Sequence, residues 1–126
     1  MSELFSVHSG TDGTSTSGDF EFYSDIVHGT FTSFRIPKGM KAKIWCKRIS
    51  GAAVEVIINY THDVTAPTPT WIPVDRENLA SDGELTLEKR RPVVLRSITG
   101  KEAFKVSWSQ ATAAKSYVNL EIEITE

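Results

Sequence analysis

Between Tyr117 and Thr125 the side chains change character at every residue. Val118, Leu120, Ile122 and Ile124 are apolar, and Asn119, Glu121, Glu123 and Thr125 between them are polar. Successive side chains of a strand leave opposite faces of a sheet, so a period of two fits a half-buried strand and not a helix. The same alternation recurs over 103–109, where Phe104, Val106 and Trp108 face one way and Lys105 and Ser107 the other.

It recurs again over 37–61. In 40–49, Met40, Ala42, Ile44 and Cys46 share one phase, and Lys41, Lys43, Trp45 and Lys47 the other. In 53–61, Val54, Val56, Ile58 and Tyr60 oppose Glu55, Ile57, Asn59 and Thr61. Ser50-Gly51-Ala52 between them offers a glycine able to take positive φ, so the pair reads as a β-hairpin at the centre of one sheet.

Further short extended segments are expected over 20–27, 30–36, 71–74, 84–88 and 93–99. Phe34 and Ile36 are expected on one face and Phe31 on the other. Turns are expected at Pro37-Lys38-Gly39, Lys89-Arg90-Arg91-Pro92 and Thr99-Gly100-Lys101-Glu102. Pro67 and Pro69 exclude a central strand, so 62–70 reads as a long connection crossing between sheets. Residues 75–83 read as a polar loop, and 110–116, with three alanines, as a short helical turn. The total is about nine short strands with little helix. The expected fold is therefore a single-domain, all-β antiparallel β-sandwich, of jelly-roll or Greek-key topology. A length of 126 residues is enough for one real core.

The expected division is a flexible N-terminal arm over 1–18 and a sandwich over 19–126. The arm rests on the tract Ser9 to Gly18, which consists of Ser, Gly, Thr and Asp alone. Leu4, Phe5 and Val7 at its tip could dock on a neighbouring subunit.

Chemistry finds little footing. The single cysteine excludes an internal disulfide. Its phase buries it, where a thiol is inert. His8, His28 and His62 stand apart, so no metal is expected. Asp75, Glu77, Asp82 and Glu84 crowd one stretch but lack the spacing of a calcium loop. No glycine-rich phosphate loop joins a strand to a helix, and no cofactor is expected. A net charge of −2 argues against nucleic acid as a partner. No apolar run reaches membrane-spanning length, and no signal peptide is visible, so synthesis in the cytoplasm is expected.

The candidate contact residues are Leu4, Phe5, Lys41, Lys43, Trp45, Lys47 and Trp71. An aromatic among cations can meet a sugar ring, a nucleobase or an acidic partner. The expected function is a non-catalytic structural or assembly protein. By fold-level analogy it would be a self-associating coat, decoration or fibre subunit of a virion, forming a homo-oligomer such as a trimer. The alternative is a carbohydrate- or ligand-binding module.

Overall fold

The structure, a computed structural model, describes residues 3–24, 29–79 and 92–126, without the side chains of Lys47, Arg48, Ile49 and Leu79. Among the described residues there are eleven strands, no helix, and two antiparallel sheets. The six-stranded sheet has the order β4 (Thr30–Phe31), β3 (Phe22–Ser24), β1 (Glu3–Gly10), β11 (Ser116–Thr125), β6 (Lys41–Gly51), β9 (Val93–Arg96). The second has the order β2 (Ser17–Asp19), β10 (Ala103–Ser109), β7 (Val54–Thr61), β8 (Ile72–Leu79), with β5 (Ser33–Arg35) also pairing with β10. The expected strand at 84–88, Lys89-Arg90-Arg91, Asp82, Glu84, Ile26, Val27 and His28 lie outside the described residues.

The alternation sets the core as expected. Val118, Leu120 and Ile122 are fully buried, and Ile124 nearly so. From the second sheet Val54, Val56, Ile58, Phe104, Val106 and Trp108 join them in one cluster. Fully burying such a side chain contributes about 1.5–3 kcal/mol, so this cluster is the main source of stability.

Several expectations give way. Residues 40–61 do not form a hairpin: β6 pairs with β11 and β9, and β7 with β10 and β8, in different sheets. Gly51, at φ +111°, turns the chain across the sandwich, and the Ala52 N–H donates to the Lys115 carbonyl at 3.0 Å. The two apolar faces therefore meet each other instead of lying side by side. Conversely, the connection after Thr61 stays within one sheet, because β7 and β8 pair. Residues 75–79 extend β8, since backbone pairing with β7 holds them despite their polarity. Residues 110–115 are irregular, with bends at Ala111 and Thr112 and no helical turn. Phe31 and Phe34 touch edge to face at 5.3 Å, because the chain changes sheets between β4 and β5 and so resets the phase.

The largest correction concerns the arm. Residues 3–10 are β1, paired along their length with β11 and in part with β3. Phe5 and Val7 point inward and are buried within their own chain, and of the tip residues only Leu4 stays exposed. The strands run between two poles. On β11, Ser116 lies opposite Gly51 and Thr125 opposite Lys41. At about 3.4 Å per residue the ends of this strand are roughly 30 Å apart.

Candidate functional site

The contact residues expected from sequence separate. Leu4, Lys41, Lys43 and Trp45 share the outer face of the six-stranded sheet, and Lys47 occupies the same phase of β6. This face is not a cationic patch. Glu123 lies between Lys43 and Leu4, with its carboxylate 3.8 Å from the Lys43 ammonium, and Glu121 lies opposite Trp45. Trp71 belongs to the other sheet's surroundings, half-buried, with the Lys105 ammonium 4.9 Å from its ring centre. Phe5 is in the core. Cys46, expected to be buried, is only half-buried and packs against the edge of the core.

What the structure assembles instead is a groove of about 860 Å³ at one pole, where β1, β2, β10 and β11 meet. That volume lies within the roughly 300–1,000 Å³ of ordinary ligand sites. The wall is the tract that sequence reads as loose. Thr11 is fully buried and fastens it: its N–H donates to the Ser116 carbonyl at 2.9 Å, its hydroxyl donates to the Ala114 carbonyl at 2.7 Å, and it accepts from the Ser116 N–H at 2.8 Å. Asp12 closes the loop by accepting from the N–H groups of Thr14 and Ser15, both at 2.8 Å. Those N–H groups, Ser15 first, hold the Asp12 carboxyl down at about 2, so at neutral pH it is an acceptor and a poor proton donor. The Ser9 hydroxyl donates to the Glu21 carbonyl at 2.6 Å, and the Gln110 N–H to that of Thr16 at 2.7 Å.

Two glycines let aromatic rings form the lining. A Cβ on Gly10 would stand 3.2 Å from the Tyr117 ring, and one on Gly18 would stand 3.0 Å from the Trp108 indole. Trp108 is a core residue whose indole also closes the floor. Tyr117 and Tyr23 are about half exposed, at 46% and 51%. The Lys115 ammonium sits 5.5 Å from the Tyr117 ring centre, and His8 lies 6.1 Å from Tyr23. Asp12, Asp19 and Glu21 supply the acidic side of the lining. Asp19 is also within 3.3 Å of the Lys105 ammonium.

Chemically, the groove offers ring faces beside hydrogen-bond acceptors. It suits a ligand with an apolar body and a cationic or hydroxylated rim. Among the described residues no group of three or more His, Cys, Asp or Glu could hold a metal ion. No described helix is long and apolar enough to cross a membrane. Sequence reading missed Tyr23, Tyr117, Asp12, Asp19, Glu21 and Lys115. The available signal was the glycine series 10, 13 and 18 in a hydroxyl-rich tract, which needs tertiary contacts to be read as a wall.

No family model matches the chain, and no curated protein matches it. Among solved structures, the Bacillus endospore appendages, described as a novel family of disulfide-linked pili, align at TM-score 0.48 and 15% identity over 99% of this chain and 87% of that one. The Clostridium thermocellum endo-1,4-β-D-xylanase 10B CBM22-1–GH10 modules, complexed with xylohexaose, align at TM-score 0.47 and 7% identity over 99% of this chain and 26% of that one. Both alignments fall below a TM-score of 0.5, and nothing about this chain follows from them.

Proposed function

We propose that this protein is a non-catalytic β-sandwich that acts by surface contact, as a structural subunit that associates with copies of itself, and that the polar groove is one of its contact surfaces. The observation that supports this reading is the groove's aromatic lining. Tyr23 and Tyr117 are exposed yet fixed by sheet backbone and by the close approach at Gly10. Large rigid amphipathic side chains of this kind give contact area at low entropic cost and are enriched in protein interfaces. The expected oligomer forms through ordered surfaces, since the arm once available for docking is part of the sheet.

A second reading, a carbohydrate-binding module, is favoured by one feature: ring faces beside the carboxylates of Asp19 and Glu21. Sedimentation velocity over a wide concentration range tests the first reading, and titration with a panel of neutral oligosaccharides, followed by tryptophan fluorescence, tests the second. Concentration-dependent growth in sedimentation coefficient is expected. A monomer throughout, with a saturable fluorescence change on adding sugar, would replace the first reading with the second.

A further inference from the structure

The pole opposite the groove carries a surface of opposite shape and charge. Ile98 stands at its tip and, at 78%, is the most exposed large apolar side chain among the described residues. Single exposed apolar residues are common on proteins. This one differs in how firmly its turn is held. The buried Glu102 carboxylate accepts from the N–H groups of Ile98 at 3.0 Å, Thr99 at 3.2 Å and Lys101 at 3.1 Å, and from the hydroxyls of Ser97 at 2.9 Å and Thr99 at 2.8 Å. The turn is anchored from three further sides. Gly39 donates to the Ser97 carbonyl at 2.9 Å, Val64 to that of Lys101 at 2.8 Å, and the Arg35 guanidinium to that of Gly100. The result is a rigid apolar knob whose ordering cost is met within the fold, before any partner arrives.

Its surroundings are basic. Arg96 and Lys101 flank the turn in sequence, Arg35 bonds to it, and the Lys38 side chain packs against Gly100. Asp63 and the enclosed Glu102 are the acids of the adjoining turns, and Glu126 lies at the same pole just beyond Thr125, which pairs with Lys41, so the basic character is confined to the side of the turn that carries Arg35, Lys38, Arg96 and Lys101. The groove has the reverse balance, with Asp12, Asp19 and Glu21 against Lys115 and His8.

We infer that the groove receives the Ile98 turn of a second copy of this chain. In this contact Ile98 lies against the rings of Tyr23 and Tyr117, and Arg35, Lys38 and Lys101 face Asp12, Asp19 and Glu21. The inference rests on the self-association reading and adds its partner surface. Because knob and groove occupy opposite poles, the contact is heterologous. Each copy keeps one free knob or groove, so assembly continues in one direction and gives an open, polar chain of subunits unless the rotation happens to close a ring. The charge component is screened by salt, with a Debye length of about 10 Å at 0.1 M and about 3 Å at 1 M.

The test uses two surface variants of the full chain, Ile98→Asp and Tyr117→Ala, with circular dichroism confirming the fold and Ile98→Ser as the milder knob change. Each is expected to weaken self-association by roughly thirtyfold, the size of a hot-spot truncation. Ile98→Asp keeps an intact groove and Tyr117→Ala an intact knob. An equimolar mixture should therefore sediment as one-to-one dimers and no larger species. Either variant associating as strongly as wild type would overturn the inference and leave the self-association reading standing. Variants that are both monomeric but form no mixed dimer would overturn it too, because the contact would then be symmetric. A neutral oligosaccharide that saturates the groove without altering association would place carbohydrate there instead. Wild type that stays monomeric at every concentration would remove both readings together.

Discussion

At the groove pole the loops are stitched mainly by neutral groups, with the exposed Asp12 carboxylate holding only the Thr14 and Ser15 amides. Backbone amides, the Thr11 and Ser9 hydroxyls and close glycine contacts do most of the holding. At the Ile98 pole one enclosed carboxylate does it, taking donors from four residues of a single turn. The first arrangement produces a recess, since glycines permit backbone and rings to come together. The second produces a projection, since a carboxylate drawn inward pulls the polar atoms of the turn after it and leaves Ile98 outside. One sandwich thus ends in two unlike surfaces, and the two should fail under different insults.

The largest effect is expected at the corner that leads into the groove pole. Gly51 has φ +111°, and an added Cβ would meet the Ser116 Cα at 2.7 Å and the Lys115 carbonyl at 2.8 Å. Backbone strain and overlap add, so Gly51→Ala is expected to cost about 3 kcal/mol, read from urea unfolding midpoints. A loss too small to measure would mean the chain does not turn across the sandwich there.

Next comes the charged pole. Glu102→Gln leaves several donors facing a neutral group and is expected to cost about 2 kcal/mol at neutral pH. Burial alone would raise the Glu102 pKa, but the Ile98 N–H and the Thr99 and Ser97 hydroxyls outweigh it and hold the carboxyl far below its usual range. The folded pKa therefore lies below the unfolded value of about 4.3, and the stabilisation is full above that pH and declines as pH falls further. Wild type should lose stability more steeply than Glu102→Gln in acid, with the two curves converging. Parallel acid limbs would contradict the buried, ionised carboxylate.

At the groove, Gly18→Ala is expected to cost about 1 kcal/mol, because Trp108 must shift by a few tenths of an ångström. Its fluorescence should change with it, and no acid dependence should appear. The smallest effect is expected at Tyr23→Ala, within about 0.5 kcal/mol of wild type, since the ring is half exposed. A large loss there would make Tyr23 a core residue and not a contact residue.

The fold was legible where alternation is strict. The inward rows Val118 to Ile124 and Phe104 to Trp108 could be read directly, because the period of two states which face is buried. It does not state which strand lies beside which. For 40–61 the same apolar pattern suits a hairpin or a corner between sheets, and only Gly51 and the Lys115 carbonyl decide it. The tract Ser9 to Gly18 misled for another reason. Its residues have little to bury, but hydroxyls and glycines also hold well when a neighbouring strand supplies partners, as Thr11 finds in Ser116 and Ala114. The groove was illegible because Tyr23 lies far in sequence from Trp108 and Tyr117, and because Trp108 and Tyr117 stand on strands of different sheets, so the three meet only through the crossings between sheets.

The most direct measurement is a disulfide trap between poles, in a Cys46→Ser background. One preparation carries Ile98→Cys, a second carries Lys115→Cys at the groove margin, and the two are mixed under mild oxidation. The expected product is the mixed 98–115 dimer in clear excess over either self-linked dimer. Self-linked 98–98 or 115–115 dimers in excess, or linkage at the level of an exposed control cysteine pair, would contradict a head-to-tail contact between the two ends of this sandwich.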